Sequence, residues 1–315
     1  MAHPGTAHKY HNTLIAFEHS PPSPPPTTPT TAPNTLLWVG GLGDGLLTVR
    51  YPTTIAATLP PTWVLAEVLL SSSYKGWGTG SLQRDAAELD KCVAYFKALR
   101  PGTKVVVMGH STGCQDIMEY VVGEGRAGRK GIDGAVLQGG VSDVEAWEDM
   151  VAGDKAQRED FDRIVGQARG MVEEGKGKEI MPMEGNFVAQ ALKAPMSAYR
   201  TYSLLVKGQD DDYFSSDLSE ERLKNTFGKI PKSTPFMFLL GDKDPFVPAS
   251  IDKATLIQRW TDVIRSGGGT VDDKNGGILP DAQHSLRDNT EEVRQDLANR
   301  VVRFLKEYVE EAPKL

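Results

Sequence analysis

Ser111 stands in Gly109-His110-Ser111-Thr112-Gly113, behind the apolar, β-branched run Val105 to Met108. A serine hydroxyl becomes a useful nucleophile only when a base takes its proton and a third group orients that base. The glycines have a steric reason. A nucleophile on a sharp strand-to-helix turn takes a strained backbone conformation, and bulky side chains at 109 and 113 would clash there. Two glycines near a serine are common, and a Gly-rich turn without chemistry would also contain them. The pattern gains its force from the strand before it and from the helix-period residues Ile117, Tyr120 and Val121 after it.

The base follows by elimination. Of six histidines, His3, His8, His11, His19 and His110 precede Ser111, and only His284 follows it. Nucleophile-elbow hydrolases carry serine, acid and histidine in that chain order. His284 lies in Leu279-Pro280-Asp281-Ala282-Gln283-His284-Ser285-Leu286, ahead of the final helix. The acid should follow the penultimate strand on a tight turn. In Gly241-Asp242-Lys243-Asp244-Pro245-Phe246-Val247-Pro248, Asp244 fits that position better, and Asp242 reads as a turn-capping residue. An acid there fixes the imidazole tautomer and stabilises its cation.

Charge developing on a carbonyl oxygen needs donors. The backbone N–H of Thr112 supplies one, and that of Leu42, in Gly40-Gly41-Leu42-Gly43, is the choice for the other. The same loop fails as a dinucleotide fingerprint. Counted from Gly41, the third glycine of G-x-G-x-x-G falls on Leu46, and no phosphate-loop Lys-Ser/Thr follows. Asp210-Asp211-Asp212 lacks the glycine and distal glutamate of a calcium loop and reads as a solvated turn. Cys92 and Cys114 are too few for a disulfide framework, have no metal-ligand spacing, and read as buried inert thiols. No cofactor and no metal are expected.

The elements that must position these residues follow from periodicity. An opening strand is expected within residues 9–18, then a proline-rich surface loop over 21–34 (Pro21 to Pro33), which reads as a hairpin insertion ahead of an SH3-type ligand. Leu36 to Val39 and Trp63 to Leu70 read as buried strands. From Ser81, Leu82, Ala86, Leu89, Val93 and Phe96 share one helical face, which Pro101-Gly102 ends. Gly134 to Gln138 and Pro235 to Leu240 are further strands. The last helix carries Val293, Leu297, Val301, Phe304 and Tyr308 on one face, with Asn289 and Glu292 as a capping pair. Apolar strands alternating with helices predict a mostly parallel sheet covered on both faces, the α/β-hydrolase fold. Its core would be 1–140 and 235–315. The polar, helix-like stretch 141–234 would be an inserted helical cap.

Composition sets the outer bounds. The formal charge is −7, from 35 basic and 42 acidic side chains, and no basic cluster supports a nucleic-acid or anionic-membrane partner. No apolar run approaches the ~20 residues of a membrane span. Met1-Ala2-His3-Pro4-Gly5 has neither a basic nor an apolar signal region, which points to the cytosol.

Three stretches carry a family resemblance: Ser71-Ser72-Ser73-Tyr74-Lys75-Gly76-Trp77-Gly78-Thr79-Gly80-Ser81-Leu82, Gly109 to Asp116, and Leu137-Gln138-Gly139-Gly140-Val141-Ser142-Asp143. Together they resemble the fungal siderophore esterase (SidJ) family within the α/β hydrolases, from Leu36 onward and most weakly in the cap. The resemblance implies hydrolysis, inside the cell, of ester bonds in fusarinine-type hydroxamate siderophores, fusarinine C in particular. It places nucleophile, acid and base on Ser111, Asp244 and His284. The partner expected is thus a small-molecule ester, a ferric siderophore being the implied case. Gly40 stands where a histidine is common in other hydrolases, which leaves the second oxyanion donor less fixed than the first. A general carboxylesterase or lipase-like activity, and a ligand receptor on a hydrolase scaffold, remain open on the residues alone.

Overall fold

The computed structural model describes residues 2–20 and 31–311. Most of the proline-rich loop therefore lies outside the described residues. Eight strands form one sheet: β1 (Gly5–His11), β2 (Leu14–His19), β3 (Asn34–Val39), β4 (Trp63–Val68), β5 (Val105–His110), β6 (Gly134–Gln138), β7 (Phe236–Gly241) and β8 (Gly277–Leu279), in spatial order β1-β2-β4-β3-β5-β6-β7-β8. β1 pairs antiparallel with β2, and β2 antiparallel with β4; every later pairing is parallel. The expected single opening strand is instead this β1–β2 hairpin. Asn12 and Thr13 form its turn, a polar break that alternation over so short a stretch does not expose.

Strand side chains alternate between two buried faces. Leu37, Val39, Val105 and Val107 enter one core with α2 (Leu82–Leu99), α3 (Thr112–Val122) and α9 (Lys253–Ser266). Leu36, Trp38, Val106 and Met108 enter the other with α1 (Tyr51–Thr58) and α10 (Glu291–Phe304). Because successive strand side chains point to opposite faces, a sheet sandwiched between helices needs apolar residues at most positions, and these strands have them with few exceptions, such as Thr35 and His110. Ser81 caps α2, accepting from the Arg84 N–H at 3.2 Å.

Between β6 and β7 the chain forms α4 (Asp143–Val151), α5 (Lys155–Glu173), α6 (Phe187–Leu192), α7 (Ala198–Leu205) and α8 (Glu220–Asn225). α4 to α7 pack around a third apolar cluster that includes Trp147, Phe161, Ile164 and Leu204. The Ser71–Leu82 stretch joins that cluster to the sheet. Trp77 packs into it, the Ser197 N–H donates to the Gly78 carbonyl at 2.8 Å, and a Cβ on Gly78 would lie 2.0 Å from the Pro195 carbonyl oxygen. Only glycine allows this approach.

Two local expectations need correction. Asp211 and Asp212 are not a solvated turn; both are buried. Asp211 pairs with the buried Arg200 guanidinium and accepts from the Ser203 hydroxyl, while Asp212 accepts from the Gly208 N–H at 2.7 Å. A run of three aspartates reads as solvated only while its buried cation, eleven residues back in the chain on α7, goes unseen. Asn289 does not cap α10, whose N-cap is Thr290. It instead accepts from the Gln283 N–H at 2.9 Å and donates to the Asp281 carbonyl at 2.6 Å, which braces the loop bearing His284.

Candidate active site

β5, buried along its whole length near the sheet centre, delivers Ser111 to its C-terminal end. Ser111 has φ 53° and ψ −124°, a conformation that a non-glycine residue holds only when its surroundings over-determine it. The Ser111 N–H donates to the Gln138 carbonyl at 3.0 Å, and the Ser111 carbonyl accepts from the Cys114 N–H at 2.8 Å. Flanking glycines make the turn possible. A Cβ on Gly109 would sit 2.4 Å from the Gly113 carbonyl oxygen, and one on Gly113 would sit 2.4 Å from that of Val39.

The loop after β3 lies against this turn. A Cβ on Gly41 would meet the Ser111 Cβ at 2.6 Å, and one on Gly40 would meet the Asp44 Cβ at the same distance. Gly40, where a histidine is common in other hydrolases, thus leaves no room for a side chain. Asp44 closes the loop by accepting from the Gly41 N–H at 2.9 Å and donating its own N–H to the Gly41 carbonyl at 3.1 Å. Those bonds do not use the Leu42 N–H. Leu42 lines the same cavity as Ser111, and Thr112, as the first residue of α3, has an N–H without an intrahelical acceptor.

β7 and β8 bring the remaining groups together. The buried Asp244 accepts from the Phe246 N–H at 3.0 Å through one carboxylate oxygen, and its other oxygen lies 2.7 Å from His284 Nδ1. Asp242 is exposed, and its backbone N–H donates to the Leu279 carbonyl at 3.1 Å. The loops can meet because Gly241 presses on the His284 loop, where a Cβ would lie 2.2 Å from the Ala282 carbonyl oxygen. Phe246 packs its ring edge-on to His284, centroids 4.7 Å apart.

Two residues that motif reading left without a role complete the arrangement. Gln138, fully buried at the end of β6, accepts at its side-chain oxygen from His110 Nδ1 at 2.7 Å and donates from its nitrogen to the His284 carbonyl at 3.0 Å. Its backbone carbonyl also holds the Ser111 N–H, so one residue ties together 110, 111 and 284. The available signal was a glutamine ending an apolar strand, since a buried amide must find partners at both ends. His110 lies between Trp38, stacked at 6.3 Å, and His284, 5.0 Å away. Burial, reinforced by His284, lowers its pKa to about 4, so it is neutral near pH 7.

Ser111 and His284 open on a cavity of about 450 Å³. Its apolar wall comes largely from the helices between β6 and β7, with Trp147, Met150 and Leu192 prominent. Besides Ser111 and His284, its polar groups are Asp44, His110, Asp143, Ser285 and Arg287. Burial is the main cause that raises the Asp143 carboxyl to about 7.

Comparison with known proteins agrees with this architecture. The chain is 35% identical to the fusarinine C esterase SidJ of Aspergillus fumigatus, over 96% of this chain and 95% of that protein. It is 31% identical to an esterase of Emericella nidulans, over 96% and 92% respectively. The solved siderophore hydrolase EstB of Aspergillus fumigatus superposes with a TM-score of 0.83 at 35% identity, covering 98% of each chain. A monoglyceride lipase variant from Saccharomyces cerevisiae, 12% identical with a TM-score of 0.61 over 98% of this chain and 96% of that one, shares the fold alone. Residues 1–306 match the profile of a family described as protein of unknown function, DUF1749. This α/β-hydrolase chain belongs to that family and is a relative of the SidJ fusarinine C esterase.

Proposed function

We propose that this carboxylic ester hydrolase cleaves ester bonds of a fusarinine-type hydroxamate siderophore through an acyl-enzyme on Ser111. The observation that carries the catalytic part is the 2.7 Å contact of His284 Nδ1 with the buried Asp244 carboxylate, on loops that face the strained Ser111. His284 Nε2 takes the Ser111 proton as Oγ attacks the ester carbon, and the same proton then leaves with the alcohol. A water that gives its proton to Nε2 attacks the acyl-enzyme, the Ser111–acyl bond breaks, and Oγ recovers a proton from His284. The N–H groups of Thr112 and Leu42 are the donors proposed for the oxyanion. Segment 141–234 acts as the cap that supplies the apolar wall of the pocket, and the reaction takes place in the cytosol. No described helix is long and apolar enough to cross a membrane.

The siderophore follows from kinship with SidJ and EstB. The apolar wall of Trp147, Met150 and Leu192 supports a second reading, a carboxylesterase of broader scope. Mass spectrometry of ferric fusarinine C before and after incubation separates the two. Ring opening and linear fragments are expected, and an intact substrate alongside rapid cleavage of simple esters would favour the broader enzyme. Fluorophosphonate labelling that persists in Ser111→Ala would sink the mechanism itself.

A further inference from the structure

Gln138 fixes the tautomer of His110. Its side-chain nitrogen donates to the His284 carbonyl, so its oxygen is the atom that faces His110 Nδ1. An amide oxygen only accepts, so Nδ1 carries the proton. With the ring neutral near pH 7, Nε2 is a bare lone pair. That lone pair faces Asp44 Oδ2 at 3.8 Å, and a carboxylate oxygen also only accepts. The two cannot bond to each other, but a single donor placed against both would satisfy them. Oδ2 accepts from the Gly41 N–H at 2.9 Å and keeps further acceptor capacity. Stacking on Trp38 and the edge contact with Tyr51, at 5.9 Å, hold the imidazole in this direction.

Asp44, His110 and Ser111 line the same cavity, which also receives the Asp143 carboxyl. The one arginine of the lining, Arg287, is exposed. Beside Ser111 the cavity therefore offers two acceptors close together, the His110 Nε2 lone pair and the Asp44 carboxylate. We propose that His110 Nε2 and Asp44 Oδ2 form a donor-binding subsite that takes an ammonium or hydroxyl group carried by the substrate next to its ester. This deepens the ester-hydrolase reading and rests on it.

The test uses the full chain and the ethyl esters of α-aminobutyrate, α-hydroxybutyrate and α-methylbutyrate. Each kcat/KM is divided by the ester's own rate of alkaline hydrolysis. All three esters should be cleaved in a Ser111-dependent way, with one or both donor-bearing esters favoured over the methyl ester by about 10-fold or more. Preference for the amino ester alone assigns the subsite to a cation, and preference for both assigns it to any donor. The ratio should collapse towards unity in His110→Phe, which keeps a ring against Trp38, and independently in Asp44→Ala. Equal normalised rates for the three esters on the wild-type protein overturn the proposal. So does a ratio that survives both substitutions. If none of the three is cleaved while ferric fusarinine C is opened, the proposal falls and the esterase reading stands; if neither is cleaved, the esterase reading falls with it.

Discussion

Replacing Asp244 by asparagine changes no volume and tests the proposed acid directly. One Asp244 oxygen accepts from the Phe246 N–H at 3.0 Å, while the other lies 2.7 Å from His284 Nδ1. The Phe246 N–H can only donate, so it holds the asparagine oxygen and turns the asparagine NH2 towards His284. A donor opposite Nδ1 forces the proton onto Nε2, the atom that receives the Ser111 proton in the proposed mechanism. The expected loss is about 10⁴ in kcat, or about 5 kcal/mol of transition-state stabilisation, with KM nearly unchanged. Losing one charge-assisted bond also costs about 1.5–3 kcal/mol of stability, so urea titration must accompany the kinetics. Asp242→Asn is the control. Its side chain is exposed, and kcat should stay within about twofold of wild type. The reasoning fails if Asp244→Asn keeps more than a tenth of wild-type kcat, or if Asp242→Asn is the damaging change.

Gly113→Ala would drive a Cβ to 2.4 Å from the Val39 carbonyl oxygen and 2.9 Å from that of Gly40, with only backbone to give way. Loss of about 3 kcal/mol in urea unfolding is expected, together with slower fluorophosphonate labelling of Ser111. The His110 pKa lies below its unfolded value of 6.5, so the folded state binds fewer protons than the unfolded chain as pH falls from 6.5 towards about 4. Stability contributed by His110 is present above 6.5 and is lost across that window, by about 3 kcal/mol. Asp143 and other buried carboxyls titrate in both proteins, so the measure is the difference in unfolding free energy between wild type and His110→Phe, which should change by that amount between pH 7 and pH 4. Asp211→Ala strands the buried Arg200 guanidinium and should cost about 3–5 kcal/mol by denaturant titration. The double change Arg200→Met with Asp211→Leu should recover most of it, because the uncompensated charge disappears.

Much of this molecule was legible because its signals are local. Strands β3 to β7 are short apolar runs bounded by turn residues, and the glycines at 109 and 113 mark a backbone turn that demands them. His284 could be singled out because chain order left one histidine after Ser111. Other features stayed hidden because their partners are distant in sequence. Asp211 reads as solvated until α7 folds back and sets Arg200 against it. Asn289 resembles a helix cap until the His284 loop claims both ends of its amide. Gln138 looks like one polar residue closing a strand, and its role exists only once β5, β6 and the loop after β8 meet.

The residue types and their order along the chain thus determined the chemistry available: a serine on a glycine-flanked turn, one histidine after it, and acids beyond the penultimate strand. Which acid, which supporting amide and which wall of the cavity face that serine was decided by the tertiary structure. The physical reason is that hydrogen bonding and desolvation depend on distances of a few ångströms between loops, and those distances are set by how the sheet and its helices pack.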